Sequence, residues 1–222
     1  MDINDILHHC DHTVLSVSAT WDTIRAAIDD AIAYETASVC IPPSYVKAAH
    51  EYAAGRVGIC TVIGFPNGYS ASDVKAYEAR RAVEDGALEI DMVINVGMLK
   101  DGKYDQILSE INEVKRSIGN RILKVIIEAC LLTDDEKITM CRIVSESDAD
   151  FIKTSTGFSS GGATAADVRI LCENVTGGTL VKAAGGIATL GDAEEFLKIG
   201  ASRLGTSRIV SIAKKEASKS SY

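Results

Sequence analysis

Three charged residues interrupt segments that are otherwise apolar enough to form buried strands. Lys153 lies in the segment FIKTS, Lys182 in LVKAA and Asp91 in EIDMV. Burying a charged side chain costs on the order of several kcal/mol unless the charge is paired or used. Any one of the three could simply form an internal ion pair. Two lysines and an aspartate in separate late strands instead predict a catalytic cluster.

Two neighbouring lysines suit imine chemistry. A lysine with an ordinary pKa of about 10.4 is almost wholly protonated near pH 7, so a nucleophilic lysine must have its charged form disfavoured. Apolar neighbours such as Phe151 and Ile152 would desolvate Lys153, and a second ammonium group would repel its charge. We therefore expect Lys153 to be the nucleophile and Lys182 to tune it. Asp91 would hold Lys182 charged and move protons, directly or through a water.

Further charged residues lie in EIDMV and in a fourth apolar segment, ILKVIIEA (122–129). Lys124 and Glu89 come at the start of their segments, so we expect them at the opposite, stabilising end of the sheet. Glu128 comes late in its segment and could approach the catalytic end as a secondary polar group.

Glycine-rich turns follow both lysine segments and the last predicted strand. One glycine pair would merely make a tight turn, but three such turns at adjacent strand ends predict a phosphate cradle. Arg208 would either contact the phosphate with two hydrogen bonds or point to solvent. The candidate phosphate-binding residues are Thr156, Gly157, Gly185, Gly186, Gly205, Thr206, Ser207 and Arg208.

Short β-branched segments alternate with amphipathic helical stretches along the chain, which is typical of α/β proteins with a parallel sheet. The eight predicted strands are 10–14, 37–41, 57–64, 87–94, 122–129, 150–155, 179–184 and 202–206. Ser72 and either Asp134 or Asp135 are the predicted helix caps. No G-x-G-x-x-G follows the first strands, which favours a closed (β/α)8 TIM barrel over an open dinucleotide-binding sheet. We expect one domain over 1–222, with a flexible tail at 214–222.

Composition excludes several classes of partner. The 222 residues carry a net charge of -8 with no basic patch, so neither nucleic acid nor a membrane is an expected partner. No signal region or membrane-length apolar segment is visible, which predicts a cytoplasmic protein. The six cysteines occur singly and are expected to be reduced. The cluster His8 to His12 lacks a second set of ligands, so no metal site is expected.

Four motifs give the chain a family resemblance between about Asp11 and Ile209. They are DHT (11–13), FIKTSTGFSSGGAT (151–164), VKAAGGI (181–187) and GASRLGTS (200–207). The chain resembles the deoxyribose-phosphate aldolases, which are class I aldolases on a (β/α)8 barrel. The resemblance implies reversible cleavage of 2-deoxy-D-ribose 5-phosphate to D-glyceraldehyde 3-phosphate and acetaldehyde, in deoxynucleoside catabolism and without a cofactor.

The resemblance also implies roles for particular residues. It makes Lys153 the Schiff-base lysine, makes Lys182 and Asp91 the proton-handling pair, and puts Asp11, Thr13 and Cys40 on a substrate-facing wall. A homodimer or higher homo-oligomer is expected from the family's habit. The segment LSVS (15–18) lacks a lysine-proline pair that many relatives have, and Arg208 stands where a second serine often follows.

Three alternatives remain open at this point. Another phosphate-binding barrel enzyme, such as an isomerase, could use a lysine without forming an imine. A non-catalytic sugar-phosphate-binding relative is disfavoured because both lysines and the aspartate are present. Tyr222 could fold over the catalytic end, although an idle terminus is the favoured interpretation.

Overall fold

The computed structural model of the protein describes residues 1–219, with side chains through residue 216. Its eight strands are β1 Cys10–Thr13, β2 Ser38–Ile41, β3 Ile59–Ile63, β4 Glu89–Val93, β5 Ile122–Ile126, β6 Phe151–Lys153, β7 Leu180–Ala184 and β8 Arg203–Thr206. Each one lies inside a predicted range, so the strand prediction is confirmed.

Ten α-helices occur in the described residues. They are α1 Ile3–His8, α2 Trp21–Ala33, α3 Val46–Ala53, α4 Ser72–Glu84, α5 Val96–Lys100, α6 Tyr104–Ile118, α7 Asp134–Glu146, α8 Ala165–Asn174, α9 Leu190–Ile199 and α10 Ile209–Lys219. Short 3-10 turns occupy Pro43–Tyr45 and Ala129–Leu131.

The strands form a closed parallel barrel in chain order, in which β8 pairs with β1. This confirms the predicted TIM barrel. Four strands, β2, β3, β4 and β6, are buried along their whole length. Helices cover the outer face of each strand and the other strands enclose its inner face, so even polar side chains such as Glu89 and Asp91 are shielded from water.

The helices pack their apolar stripes onto this barrel. In α6 the side chains of Ile107, Ile111, Val114 and Ile118 are buried. Their spacing of three or four residues puts them on one helix face, as amphipathic helices require. The stripe therefore fixes which face of the helix meets the strands.

The predicted helix caps are wrong, although the helix starts are right. The α4 cap position is Ala71, which has no capping side chain, and Ser72 Oγ donates instead to Glu110 at 3.1 Å. In α7 the cap is Thr133, whose hydroxyl accepts from the Glu136 amide while the Glu136 side chain accepts from the Thr133 amide. This reciprocal capping box satisfies two amides at once, which a single aspartate does not do.

The predicted tail begins inside α10, because residues 214–219 continue that helix. Residues 220–222, including Tyr222, lie outside the described residues. Among the described residues, no helix combines the length and apolarity needed to cross a lipid bilayer. All six cysteines are free in the structure, and four of them are buried.

Candidate active site

Asp91, in the middle of β4, lies at the centre of the barrel's polar interior. The Lys153 ammonium nitrogen lies 2.7 Å from its Oδ2, and the Lys182 ammonium nitrogen lies 2.6 Å from the same oxygen. The structure thus brings together the three residues that the sequence singled out, and it does so through one shared carboxylate oxygen.

Lys182 is held by a second acid, Asp11, with which it forms a direct ion pair. The other Asp11 oxygen accepts hydrogen bonds from Arg203 at 2.6 Å and from the Ser38 hydroxyl at 2.7 Å. Burial alone would lower the pKa of Lys182, but the carboxylates of Asp11 and Asp91 outweigh it and raise that pKa above its ordinary value. Lys182 is therefore a fixed cation next to Lys153.

Lys124 was expected at the opposite end of the barrel, and this is wrong. Its ammonium nitrogen lies 2.8 Å from Asp91 Oδ1 and 2.6 Å from Glu89. The reason is the strand register, because Lys124 on β5 is paired directly with Asp91 on β4. Glu89, one layer further from the cavity, is bridged to Arg203 at 3.0 Å.

We call this set the Asp91 cluster. Its members are Asp11, Glu89, Asp91, Lys124, Lys153, Lys182 and Arg203. Burial would raise the pKa of Asp91, but Lys124, Lys153 and Lys182 hold that pKa well below its usual range. Asp91 is thus an ionised carboxylate in the unliganded cluster, where it accepts hydrogen bonds from Lys124, Lys153 and Lys182.

Lys153 differs from the two lysines beside it because it opens into a cavity. The cavity has a volume of about 490 Å³, and Lys153 belongs to its lining, whereas Lys124 and Lys182 are fully buried below it. A substrate that enters the cavity therefore meets the Lys153 amine first.

The candidate phosphate residues surround the same cavity. The lining includes Thr156, Gly157, Gly185, Gly186, Gly205, Thr206, Ser207 and Arg208, together with Thr13. The loop from Thr206 to Arg208 leads directly into α10, so the positive end of that helix faces the cavity. Within residues 1–219 the amides of Gly157, Gly186 and Ser207 have no hydrogen-bond acceptor. They are therefore available to an anionic ligand.

Thr156 and Thr206, the two threonines among the candidate phosphate residues, use their hydroxyl groups internally. Thr156 Oγ1 donates to Glu128 at 2.5 Å, and Thr206 Oγ1 donates to the Ile187 carbonyl at 3.3 Å. Each hydroxyl oxygen also accepts from the amide two residues later, that of Phe158 or of Arg208. Since a hydroxyl has one proton to donate, these side chains shape the loops rather than donate to a ligand.

Asp11 and Cys40 do not occupy the cavity wall on which the family resemblance put them. Asp11 is bound to Lys182 beneath the cavity, and Cys40 packs with Cys60 and Val62. Both side chains are fully buried. Asp11 therefore contacts Lys182 and Lys124 from below, and Cys40 belongs to a neighbouring apolar cluster.

Sequence reasoning missed Arg203 and Cys60. Arg203 bridges Asp11 and Glu89, and Cys60 Sγ lies 3.3 Å from both Asp91 Oδ1 and the Lys124 nitrogen. Arg203 carries the same signal as the lysines, a charge inside the segment SRLGT, so that signal could have found it. Cys60 carries none, because a buried cysteine is an ordinary core residue.

Two groups of potential metal ligands lie inside the cluster in the described part of the chain. Cys40, Cys60 and Asp91 form one, and Asp11, Cys60 and Glu89 form the other, with ligand atoms within 4.8 Å of one another. Lys124 donates to Asp91 and to Cys60 and pairs with Glu89. Its ammonium group thus takes the place that a cation would need, and this donor set does not fit a metal ion.

Comparison with known proteins agrees with this arrangement. The family model described as DeoC/LacD family aldolase matches residues 6–202. A deoxyribose-phosphate aldolase of Streptococcus pyogenes serotype M4 (strain MGAS10750) is 55% identical over 219 residues, which cover 99% of this chain and 98% of that protein.

Solved structures of aldolases are also similar to this chain. The structure described as "QR15, an Aldolase" has a TM-score of 0.92 and 37% identity, and the match covers 97% of each chain. The tetrameric deoxyribose phosphate aldolase of Aeropyrum pernix has a TM-score of 0.84 and 30% identity, covering 94% of this chain and 89% of that one. The chain therefore belongs to the DeoC/LacD family of aldolases.

Proposed function

We propose that this aldolase cleaves 2-deoxy-D-ribose 5-phosphate reversibly to D-glyceraldehyde 3-phosphate and acetaldehyde, through a Schiff base on Lys153. The single observation that carries the proposal is the oxygen that Lys153 and Lys182 share on Asp91, at 2.7 and 2.6 Å. One lysine of this pair opens to a cavity and the other is buried with a second acid. This asymmetry separates a nucleophile from a proton-handling partner.

The charge count of the cluster supports the same assignment. Four basic side chains face three carboxylates, so the fully ionised cluster carries one excess positive charge inside the barrel. An uncompensated buried charge is costly. Lys153 is the basic member that lines the cavity, so the space that a phosphorylated substrate would enter borders a site of net positive charge.

The reaction then follows from these positions. The Lys153 amine attacks the aldehyde carbon C1 of the open-chain sugar, and loss of water from the carbinolamine gives the imine. Loss of the proton from the C3 hydroxyl breaks the C2–C3 bond, which releases glyceraldehyde 3-phosphate and leaves an enamine on Lys153. Protonation at C2 and addition of water release acetaldehyde. Asp91 and Lys182 lie within reach of the Lys153 nitrogen and are the groups that exchange these protons.

The phosphate is proposed to bind on the opposite side of the cavity. The free amides of Gly157, Gly186 and Ser207, the N-terminus of α10 and the exposed Arg208 side chain together offer donors and positive potential. Gly162 and Gly185 allow two of these loops to meet, because a Cβ on Gly162 would lie 2.5 Å from the Gly185 carbonyl carbon. The cradle thus depends on close backbone approach as much as on side chains.

Reductive trapping tests the Schiff base. Addition of acetaldehyde and borohydride should leave an ethyl group on Lys153, identified by peptide mass mapping, and Lys153→Ala should abolish both this adduct and retro-aldol turnover. Lys198, an exposed lysine of α9, offers a matched control, because Lys198→Ala should be trapped and turn over like the wild type. An isomerase would give no adduct. Full retro-aldol turnover by Lys153→Ala would overturn the proposal.

Three further properties are proposed with this function. The chain forms one barrel domain over its whole length, it works in the cytoplasm, and it assembles as a homodimer or larger homo-oligomer. A tetrameric relative, that of Aeropyrum pernix, supports assembly. Sedimentation analysis at micromolar concentration tests it, and a monomer would contradict it.

A further inference from the structure

Glu128 has an unusual backbone for its position at the end of β5. Its φ of 54° and ψ of 61° lie in the left-handed region, which a residue with a Cβ rarely adopts. The amides on either side remain paired to the next strand, with Ile127 donating to the Lys153 carbonyl at 3.0 Å and Ala129 donating to the Thr154 carbonyl at 2.8 Å. The strained residue is therefore anchored on both sides to the segment that carries the nucleophile.

The Glu128 carboxylate reaches the loop that follows the nucleophile. Its Oε1 accepts from the Thr156 amide at 3.1 Å, and its Oε2 accepts from the Thr156 hydroxyl at 2.5 Å. The residue is 4% exposed, so these bonds are shielded from water. The Glu128 carboxylate thus fixes both hydrogen-bond donors of Thr156, its amide and its hydroxyl.

These two bonds set up the next turn of the loop. The Thr156 hydroxyl oxygen accepts from the Phe158 amide at 3.0 Å. The amides of Thr156 and Phe158 are therefore engaged, whereas the Gly157 amide between them is free and borders the cavity. The arrangement selects one amide of the turn for an external ligand.

We propose that Glu128 is a positioning residue that fixes the Gly157 amide at the phosphate end of the cavity, at a set distance from Lys153. This inference rests on the proposed function, because it assumes a phosphorylated substrate. Glu128 acts through Thr156 and touches no reacting atom. Its backbone strain is held in place by the surrounding contacts, as is typical of residues that organise a functional site.

The chain offers a matched control for the backbone. Glu35 is also a glutamate in the left-handed region, with φ 48°, but it is exposed at the end of α2, and its side chain contacts His8 at 3.5 Å. Substitution by glycine relieves backbone strain at both positions. Only the change at position 128 removes hydrogen bonds to the cavity loop. The comparison therefore separates the effect of losing the Glu128 carboxylate from the effect of relieving backbone strain.

The test compares Glu128→Gly and Glu35→Gly with the wild type on phosphorylated and unphosphorylated 2-deoxyribose. For Glu128→Gly we expect KM for the 5-phosphate to rise about tenfold, which corresponds to about 1.4 kcal/mol, and KM for the unphosphorylated sugar to stay unchanged. The inhibition constant of inorganic phosphate should rise by the same factor. Glu35→Gly should match the wild type in all three constants.

A second pair of variants covers the case in which Glu128→Gly does not fold. Thr156→Val removes only the hydroxyl that bridges Glu128 and Phe158, so it should raise KM for the phosphorylated sugar selectively, and Thr156→Ser should restore it. Glu128→Gln can still accept one of the two bonds and should lie between the wild type and Thr156→Val.

The outcomes separate the two proposals. If the wild type traps acetaldehyde on Lys153 while Glu128→Gly and Thr156→Val change both KM values equally or change neither, the role of Glu128 is wrong and the aldolase function stands. If the wild type gives no trapped adduct and no retro-aldol turnover, the proposed function fails, and the inference about Glu128 fails with it.

Discussion

Two regions of the molecule bury lysines, and they differ in what the lysines can do. Between α4 and α6, Lys75 is fully buried and donates to Glu110 at 3.0 Å and to the Val93 carbonyl at 2.8 Å. Inside the barrel, Lys153 shares its carboxylate with a second lysine and opens to the cavity. Burial beside one carboxylate suits a structural lysine, whereas a shared carboxylate and an open side suit the nucleophile proposed for Lys153.

The pKa directions express the same difference. Burial lowers the pKa of Lys75, and Glu110 and Glu78 do not fully compensate, whereas the pKa of Lys182 is raised because Asp11 and Asp91 outweigh its burial. A lowered pKa on its own therefore does not identify the nucleophile. What distinguishes Lys153 is its geometry, since a substrate can reach it.

The largest expected effect is on stability, at the structural pair. Lys75→Met leaves the Glu110 carboxylate buried without a counter-charge and with the Ser72 hydroxyl as its remaining donor, which should lower the free energy of unfolding by about 3–5 kcal/mol. The double variant Lys75→Met/Glu110→Met should recover most of this loss, because two apolar side chains of similar volume replace the pair. Urea denaturation measures both. Equal destabilisation of the single and double variants would contradict the account.

A smaller effect is expected on catalysis, when the same chemical change is made in each region. Asp91→Asn removes the charge that links Lys153 and Lys182, so kcat should fall by roughly 10²–10³-fold. Glu110→Gln makes the equivalent change in the other buried pair and should leave kcat unchanged in the fraction that folds. Steady-state rates, normalised to the amount of folded protein, measure kcat for both variants. A similar loss of kcat in Asp91→Asn and Glu110→Gln would contradict the difference proposed between the two regions.

The smallest expected effect is a pH dependence of opposite sign in the two regions. Since the pKa of Lys75 is lowered on folding, the unfolded chain binds more protons there, and the contribution of Lys75 to stability grows as pH rises toward 10.5. Since the pKa of Lys182 is raised, its contribution is fully present below 10.5 and is lost as pH rises above that value.

Urea denaturation over this alkaline range measures the sign. The wild type should become more stable relative to Lys75→Met/Glu110→Met as pH approaches 10.5. If the stability advantage of the wild type over the double variant instead falls as pH approaches 10.5, the direction assigned to the pKa of Lys75 is wrong.

Much of the fold and part of the candidate site could be predicted from the sequence. Buried parallel strands need continuous apolar segments, so a charge such as Lys153 or Lys182 is conspicuous there. The strand count and the absence of a dinucleotide-binding turn then favoured the barrel. These features are local in the sequence, which is why they could be read without a structure.

What could not be predicted depends on contacts between distant segments. Lys124 was misplaced because depth in the barrel depends on register with the neighbouring strand, and the pairing of Lys124 with Asp91 is not encoded locally. Ser72 was misread as a cap because its hydroxyl donates to Glu110, 38 residues away. The left-handed backbone of Glu128 likewise depends on Thr156, a partner in the following loop.

Every strand of the barrel supplies a polar atom to the catalytic interior, from Asp11 on β1, Ser38 on β2 and Cys60 on β3 through to Arg203 on β8. The Asp91 cluster is therefore complete only when the barrel closes through the pairing of β8 with β1, because Asp11 and Arg203 lie on the two strands of that seam. Opening of the seam would separate Asp11 from the guanidinium of Arg203 and so disturb the carboxylate that holds Lys182.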